Sequence, residues 1–231
     1  DLATNELVTL FEHEGPVSGP KVSPDGKWVA FRTFVDREQS YQQQELWLVS
    51  SDGGEPRRLA GELDRNIEEL NWAANSRGVY FQYDALGVTR AGLADLRGGT
   101  RMIASGLGGA SIGRPYPGAS YTVARNGTIA FTQASTQRPA EVAVADRRGR
   151  VLRLTALNDN LLGQRSLGEV EEIWYESSVD GRRIHGWIIK PPGFDPAQKY
   201  PLVLEIHGGP FANYGPRFSY ELQSYAAAGY V

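Results

Sequence analysis

Three stretches in the first two thirds of the chain repeat one order of turns and short strands. In each, a polar turn with glycine leads into a β-rich strand, and a second strand, an Asp/Gly/Arg turn and a third strand follow; the turn glycines are Gly26, Gly78 and Gly127. Phe31, Phe81 and Phe131 lie in the first of these strands at a spacing of 50 residues. Units of about 40–50 residues with several short strands are typical of β-propeller blades. The repeat therefore predicts about three blades within residues 1–160, and a β-sandwich with coincidentally spaced turns is the alternative.

Three blades by themselves would leave strand edges unpaired, and natural proteins avoid exposed edges. The chain also starts at Asp1 and ends in "YAAAGYV", where a new apolar segment begins. We therefore expect these 231 residues to be a piece of a longer protein, with the last blades of a partial propeller at its start.

The sequence changes character after residue 157. Residues 158–168 carry no strong hydrophobic period and are interpreted as a connection. Asp180-Gly181 then separates two strand-like runs, which is a strong signal for a β-hairpin. We place a second domain at residues 161–231.

The last part of this domain predicts an α/β pattern. "LVLEI", residues 202–206, is a short apolar run typical of a strand buried in a sheet covered on both faces. "PRFSYELQSYAAAGY" has apolar residues at helical spacing, with Gly229 as a C-terminal cap. The order of strand, Gly-Gly turn and helix is that of an α/β sheet.

Gly208 and Gly209 lie at the carboxyl end of the predicted strand, where α/β sheets bind ligands. Glycines lack a Cβ atom, so a reacting group can approach their N–H groups closely. A backbone N–H aimed at a developing alkoxide forms part of an oxyanion hole. The alternative is a glycine pair that only permits a tight turn.

Four segments carry a resemblance to a known family. "SPDGKWVAF", "DGGEPRRLA", "VDGRRIHGWIIKPPGFDPAQKYPLVLEIHGGP" and "AAAGYV" resemble the prolyl oligopeptidase family of serine peptidases, in its acylaminoacyl-peptidase-like branch. The resemblance covers nearly the whole chain and is most specific from Gly181 to Gly209. It implies a β-propeller followed by an α/β-hydrolase domain, of which this chain would hold the C-terminal blades and the N-terminal part.

The resemblance also implies a catalytic role for the Gly-Gly turn. Gly209 would donate its N–H to the oxyanion, while His207 and Gly208 would shape the loop. The Ser-His-Asp triad of the family would lie beyond Val231, so the fragment alone is expected to be inactive. The activity implied is acyl transfer by an acylaminoacyl- or dipeptidyl-peptidase-like enzyme. The substrates would be short peptides, since a propeller cap excludes folded proteins, and no cofactor or metal is implied.

Other candidate residues fit catalysis poorly. The only G-x-S-x-G match, Gly109 to Gly113, lies among glycines and prolines, without the strand before and helix after that a nucleophile elbow needs. His13 and His185 are expected at a strand end and on a polar face or domain interface. His207 is interpreted as loop-shaping rather than as a general base.

Composition limits the partners. A formal charge of −3 gives no sign of nucleic-acid binding, and no apolar run is long enough to cross a membrane. Cysteine is absent, which excludes disulfides and thiolate nucleophiles and leaves the compartment open. The expected partners are a peptide substrate and the remainder of the hydrolase domain, and a homo-oligomer is compatible with this interpretation. The rival hypothesis is a non-catalytic propeller that binds a partner and keeps a degenerate hydrolase remnant.

Overall fold

The computed structural model describes residues 4–109 and 111–231. Most of the described chain forms antiparallel sheets. Its strands are β1 (Ser18–Val22), β2 (Trp28–Thr33), β3 (Glu45–Ser50), β4 (Arg57–Leu59), β5 (Glu68–Trp72), β6 (Gly78–Ala85), β7 (Val88–Asp95), β8 (Thr100–Leu107), β9 (Tyr121–Val123), β10 (Ile129–Ser135), β11 (Arg138–Ala145), β12 (Val151–Arg153), β13 (Glu169–Glu176) and β14 (Arg183–Lys190). Its helices are α1 (Asp159–Leu162) and α2 (Tyr220–Ala227).

Each predicted repeat is a four-stranded antiparallel meander: β1–β4, β5–β8 and β9–β12. The second and third meanders are joined in one sheet by a single pairing of Leu107 with Gln133. Phe31, Phe81 and Phe131 are buried in the second strand of their meanders. The spacing of 50 residues therefore marks equivalent core positions, as the sequence predicts.

The turn before each of these strands uses the same backbone chemistry. In all three, an N–H bonds back to a carbonyl three residues earlier, and the donor is Gly26, Ser76 or Gly127 with φ of +73°, +57° and +80°. The sequence pattern matches Gly78 to the other two glycines, and this is wrong. Gly78 is the first residue of β6, and Ser76 takes the left-handed conformation that glycine adopts most easily.

The apolar cores lie within and between the meanders. One cluster packs the first meander against the second, with Leu46, Leu48 and Phe81 among its buried members. A second cluster packs the second meander against the third and includes Tyr80 and Phe131. Burying these faces in series holds the three meanders together.

The connection after the third meander is held by one buried carboxylate. Glu141, on β11, accepts hydrogen bonds from the Thr155 hydroxyl, the Leu157 N–H, and both the backbone N–H and the side-chain amide of Asn158. Burial by itself raises the pKa of Glu141, but these donors outweigh it and lower the pKa to about 2. A single turn of helix, α1, follows directly.

The predicted hairpin around Asp180-Gly181 is confirmed. Strands β13 and β14 pair antiparallel over eight residues each, from Glu169 opposite Lys190 to Glu176 opposite Arg183. Gly181 lies in the turn with φ of +70°.

The buried strand predicted at residues 202–206 is not formed in this chain. The segment has no regular strand structure, and the side chains of Leu202, Leu204 and Ile206 are 73%, 74% and 73% exposed. Val231 donates to Pro201 O at 3.0 Å and accepts from Val203 N at 2.9 Å. In a parallel pair of strands, one residue forms hydrogen bonds to both neighbours of the residue opposite it, as Val231 does here. The segment thus has a single parallel bridge among the described residues, too little to bury an apolar strand.

Helix α2 begins two residues after the first apolar residue of the predicted helical pattern. Ser219 caps it by accepting a hydrogen bond from the Leu222 N–H at 3.2 Å, and Gly229 follows its end with φ of +89°. The helix docks through a buried amide: Gln223 accepts from the Gly168 N–H at 2.7 Å and donates to the Gly168 carbonyl at 3.2 Å. This clamp ties α2 to the start of β13.

Candidate oxyanion loop and adjoining cleft

The Gly-Gly turn follows the exposed segment and presents its two N–H groups differently. The Gly208 N–H donates to the Tyr116 hydroxyl at 3.0 Å. None of the described residues accepts a hydrogen bond from the Gly209 N–H. Gly209 has φ of +81°, a conformation that favours glycine. The second glycine is therefore the one with a donor available to a ligand.

The histidine of the turn contacts a tyrosine ring. The ring of His207 meets the ring of Tyr214 edge-on, with 5.7 Å between centroids. Tyr214 is buried and donates its hydroxyl to Glu205 at 3.0 Å. Burial, the Glu205 carboxylate and the neighbouring Tyr116 raise the pKa of Tyr214 to about 12, so this hydroxyl remains a donor at neutral pH.

The linker between the second and third meanders braces the loop from the other side. Arg114 lies 2.8 Å from the Glu205 carboxylate and 3.5 Å from that of Glu221, and both carboxylates raise its pKa. The Pro115 carbonyl accepts from the Gly215 N–H at 3.1 Å. These contacts join residues far apart in sequence, so the repeat and the Gly-Gly turn form one structural unit.

A cleft of about 580 Å³ lies beside the turn. Its walls come from the first two meanders, from Tyr116 and Pro117 of the linker, and from residues 211–213 directly after the turn. The ring of Tyr41 packs against that of Phe211, with 5.2 Å between centroids. A volume of this size is in the range of ligand pockets.

The floor of the cleft offers hydrogen-bond acceptors. Glu68 and Gln82 are paired across β5 and β6, and Asp84 follows on the same face of β6. Gln82 is only 5% exposed, and its side-chain carbonyl oxygen has no partner among the described residues. Partial burial and the nearby Asp84 charge raise the pKa of Glu68. Two carboxylates and an unpaired carbonyl suit a ligand that brings N–H donors and positive charge.

Arg217 lies behind this floor and links it to the segment before α2. Its guanidinium is buried, donates to the Thr89 hydroxyl at 2.5 Å and lies 3.6 Å from Asp84. Burial lowers its pKa, and the Asp84 charge opposes this effect. One carboxylate of the floor is thus partly neutralised from within by Arg217, while the Arg32 charge acts on Glu68 and opposes the increase of its pKa.

The other candidates lie away from the turn. His13 contacts the Phe34 carbonyl at 3.0 Å, outside any regular strand. His185 stacks on Trp174 at 4.0 Å and lies 3.0 Å from the Glu172 carboxylate, on the hairpin. Of the G-x-S-x-G match, Ala110 lies outside the described residues, and Ser111 to Gly113 are not in regular secondary structure.

Two kinds of feature are absent from residues 4–109 and 111–231. No group of three or more acidic or histidine side chains there is arranged to hold a metal ion. None of the helices in these ranges has the length and apolar character needed to cross a membrane.

Comparisons with known proteins agree on one class. No family model matches the chain. Dipeptidyl-peptidase 5 of Trichophyton equinum is 30% identical over 225 residues, which is 94% of this chain and 30% of that protein. Probable dipeptidyl-peptidase 5 of Arthroderma benhamiae matches to the same extent. The chain thus spans about three tenths of the length of these curated relatives.

Solved structures share the fold. Acylaminoacyl peptidase in complex with Z-Gly-Gly-Phe-chloromethyl ketone superposes with a TM-score of 0.72 at 23% identity, over 89% of this chain and 30% of that one. Pyrococcus horikoshii acylaminoacyl peptidase gives 0.70 at 24% identity with the same coverage. Puromycin hydrolase gives 0.55 at 19% identity, over 93% of this chain and 40% of that one.

The fold and the named relatives support a relationship to the serine peptidases. Within this class, the chain is related to the prolyl oligopeptidase family, and the resemblance found in the sequence is confirmed.

Proposed function

We propose that the protein containing this chain is a serine-type peptidase that hydrolyses short peptides by acyl transfer. Residues 1–160 would be the last three blades of a β-propeller, and residues 161–231 the start of an α/β-hydrolase domain. The three meanders and the shared fold of the peptidase structures support this division. The parallel bridge between Val231 and the segment before the turn supports a parallel sheet in the second domain.

The observation that carries the proposal is the difference between the two glycine amides. In acyl transfer a serine oxygen attacks the scissile carbonyl, whose oxygen takes on negative charge, and the amine leaves with a proton before water releases the acid. A hydrolase of this fold needs a backbone donor from the loop after its buried strand. Gly209 has such a donor free, while the Gly208 amide is occupied. The chain would supply this part of the oxyanion hole, and residues beyond Val231 would supply the triad.

The cleft indicates where the peptide would lie. It adjoins the turn, it is closed on one side by the meanders, and its acceptors suit a peptide amino group. The name of the curated relatives, dipeptidyl-peptidase, agrees with a substrate bound through its free amino terminus. The acylaminoacyl-type alternative, in which that terminus is blocked, would leave the Gln82 side-chain carbonyl oxygen without a donor. Neither a metal nor an organic cofactor is required for this chemistry.

The test is hydrolysis of short peptide anilides by the full-length protein. We expect turnover that is abolished by a fluorophosphonate, which reacts with an activated serine. A folded full-length protein that neither hydrolyses peptides nor reacts with the probe would instead support the rival hypothesis, a non-catalytic propeller with a hydrolase remnant.

A further inference from the structure

Tyr116 makes the only long-range hydrogen bond to the Gly-Gly turn among the described residues. It belongs to the linker between the second and third meanders, 92 residues before the amide that it accepts from. We infer that Tyr116 is a positioning residue for the oxyanion loop, because it holds the Gly208 N–H so that the Gly209 N–H remains directed to the substrate. This inference rests on the proposed function and adds a residue of the repeat domain to its machinery.

The physical need for such a residue follows from the two glycines. Consecutive glycines have the widest choice of backbone conformations, so fixing them in one conformation costs conformational entropy. The segment before the turn has one parallel bridge and gives little support of its own. A hydrogen bond to the Gly208 N–H fixes the peptide plane between His207 and Gly208, which is one residue before the plane that carries the Gly209 N–H. An oxyanion donor acts best when it is already in place before charge develops.

The Tyr116 hydroxyl is itself held in place. Its ring meets the ring of Tyr214 edge-on, with 4.8 Å between centroids. The preceding residue accepts from the Gly215 N–H at 3.1 Å, and Arg114 bridges Glu205 and Glu221. The linker therefore contacts the chain on both sides of the turn, so the position of the hydroxyl is set by the junction of the two regions.

The test compares two tyrosine-to-phenylalanine variants of the full-length protein. Tyr116→Phe removes the acceptor at the turn. Tyr200→Phe is the matched control, because its hydroxyl also accepts a backbone N–H, that of Asp195 at 2.8 Å, outside the turn and the cleft. Loss of one hydrogen bond corresponds to about a 5- to 10-fold effect. We expect kcat to fall by that factor in Tyr116→Phe, with KM within about 2-fold of wild type and with kcat unchanged in Tyr200→Phe.

A second measurement separates positioning from a general structural effect. A peptide aldehyde adds to the nucleophilic serine as a hemiacetal and places its oxygen in the oxyanion hole. Its inhibition constant should rise by the factor by which kcat falls, whereas that of the product peptide should not change. If the wild type is active and Tyr116→Phe matches Tyr200→Phe in kcat and in aldehyde binding, the inference is wrong and the proposed function stands. If the wild type is inactive, the proposed function itself fails.

Discussion

Glu141→Gln removes the charge that holds the connection between the third meander and the hairpin. The native carboxylate collects two side-chain and two backbone donors from Thr155, Leu157 and Asn158. Its pKa is about 2, against a usual value of 4.5. A difference of 2.5 units at 1.36 kcal/mol per unit gives about 3 kcal/mol. Glutamine has an NH2 group in place of one carboxylate oxygen, and this group is itself a donor that cannot accept these hydrogen bonds. The variant therefore loses that stabilisation.

The sign of the pH dependence follows from the lowered pKa. The contribution is complete above the unfolded-state pKa of 4.5, and it is lost as the pH falls toward about 2. We expect Glu141→Gln to lower the free energy of unfolding by about 3 kcal/mol at pH 7 and by about 2 kcal/mol at pH 3.5. Urea unfolding of the full-length protein, followed by circular dichroism at both pH values, measures this difference.

The control for this variant is Glu62→Gln. Glu62 is exposed and makes no hydrogen bond or ion pair within the described part of the chain, so its replacement should change stability by less than about 0.5 kcal/mol. The reasoning is refuted if Glu141→Gln costs no more than Glu62→Gln at pH 7, or if its cost grows as the pH is lowered.

Two further predictions concern catalysis by the full-length protein. Gly209→Val should lower turnover by roughly 10²-fold, the scale of losing one oxyanion donor. The control is Gly193→Val, at a similar φ of +73° with open space around it, which should have the same melting temperature as Gly209→Val but wild-type turnover. Equal turnover in the two variants would show that the loop is only a turn. Glu68→Gln should raise KM for a peptide with a free amino terminus by about 10-fold, the scale of a charge-assisted hydrogen bond, while KM for the N-acetylated peptide stays constant. An equal change of KM for both peptides would show that Glu68 does not bind the amino terminus.

Local features of this fold could be predicted from sequence because they depend on nearby residues. The turns and buried phenylalanines recur at fixed spacing, and Asp180-Gly181 joins two adjacent strands, so the meanders and the hairpin follow from short-range patterns. The second turn is predicted at Gly78 rather than Ser76 because a left-handed serine leaves no mark in composition. The apolar run at 202–206 was wrongly assigned as buried, since burial of a strand depends on partner strands that the run itself does not specify.

The site was harder to predict because its contacts cross the chain. The HGGP motif indicates Gly209 as a donor, and its role remains a prediction. Nothing in the "GRPYPG" linker indicates that Tyr116 reaches Gly208, since the two are 92 residues apart. The acceptors of the cleft, Glu68 and Gln82, face each other only through strand register. A lone glutamine in a strand is ordinary until its carbonyl is found buried without a partner.

The most direct test of the central claim is to map the serine that a fluorophosphonate labels in the full-length protein. The account predicts one stoichiometric adduct on a serine outside residues 1–231, since Ser111 lies in an irregular segment and not in a strand-to-helix elbow. Labelling should be slower in Gly209→Val, because the phosphonyl oxygen also uses the oxyanion donor. An adduct on Ser111, or the absence of any adduct in a folded and peptide-binding protein, would contradict the account.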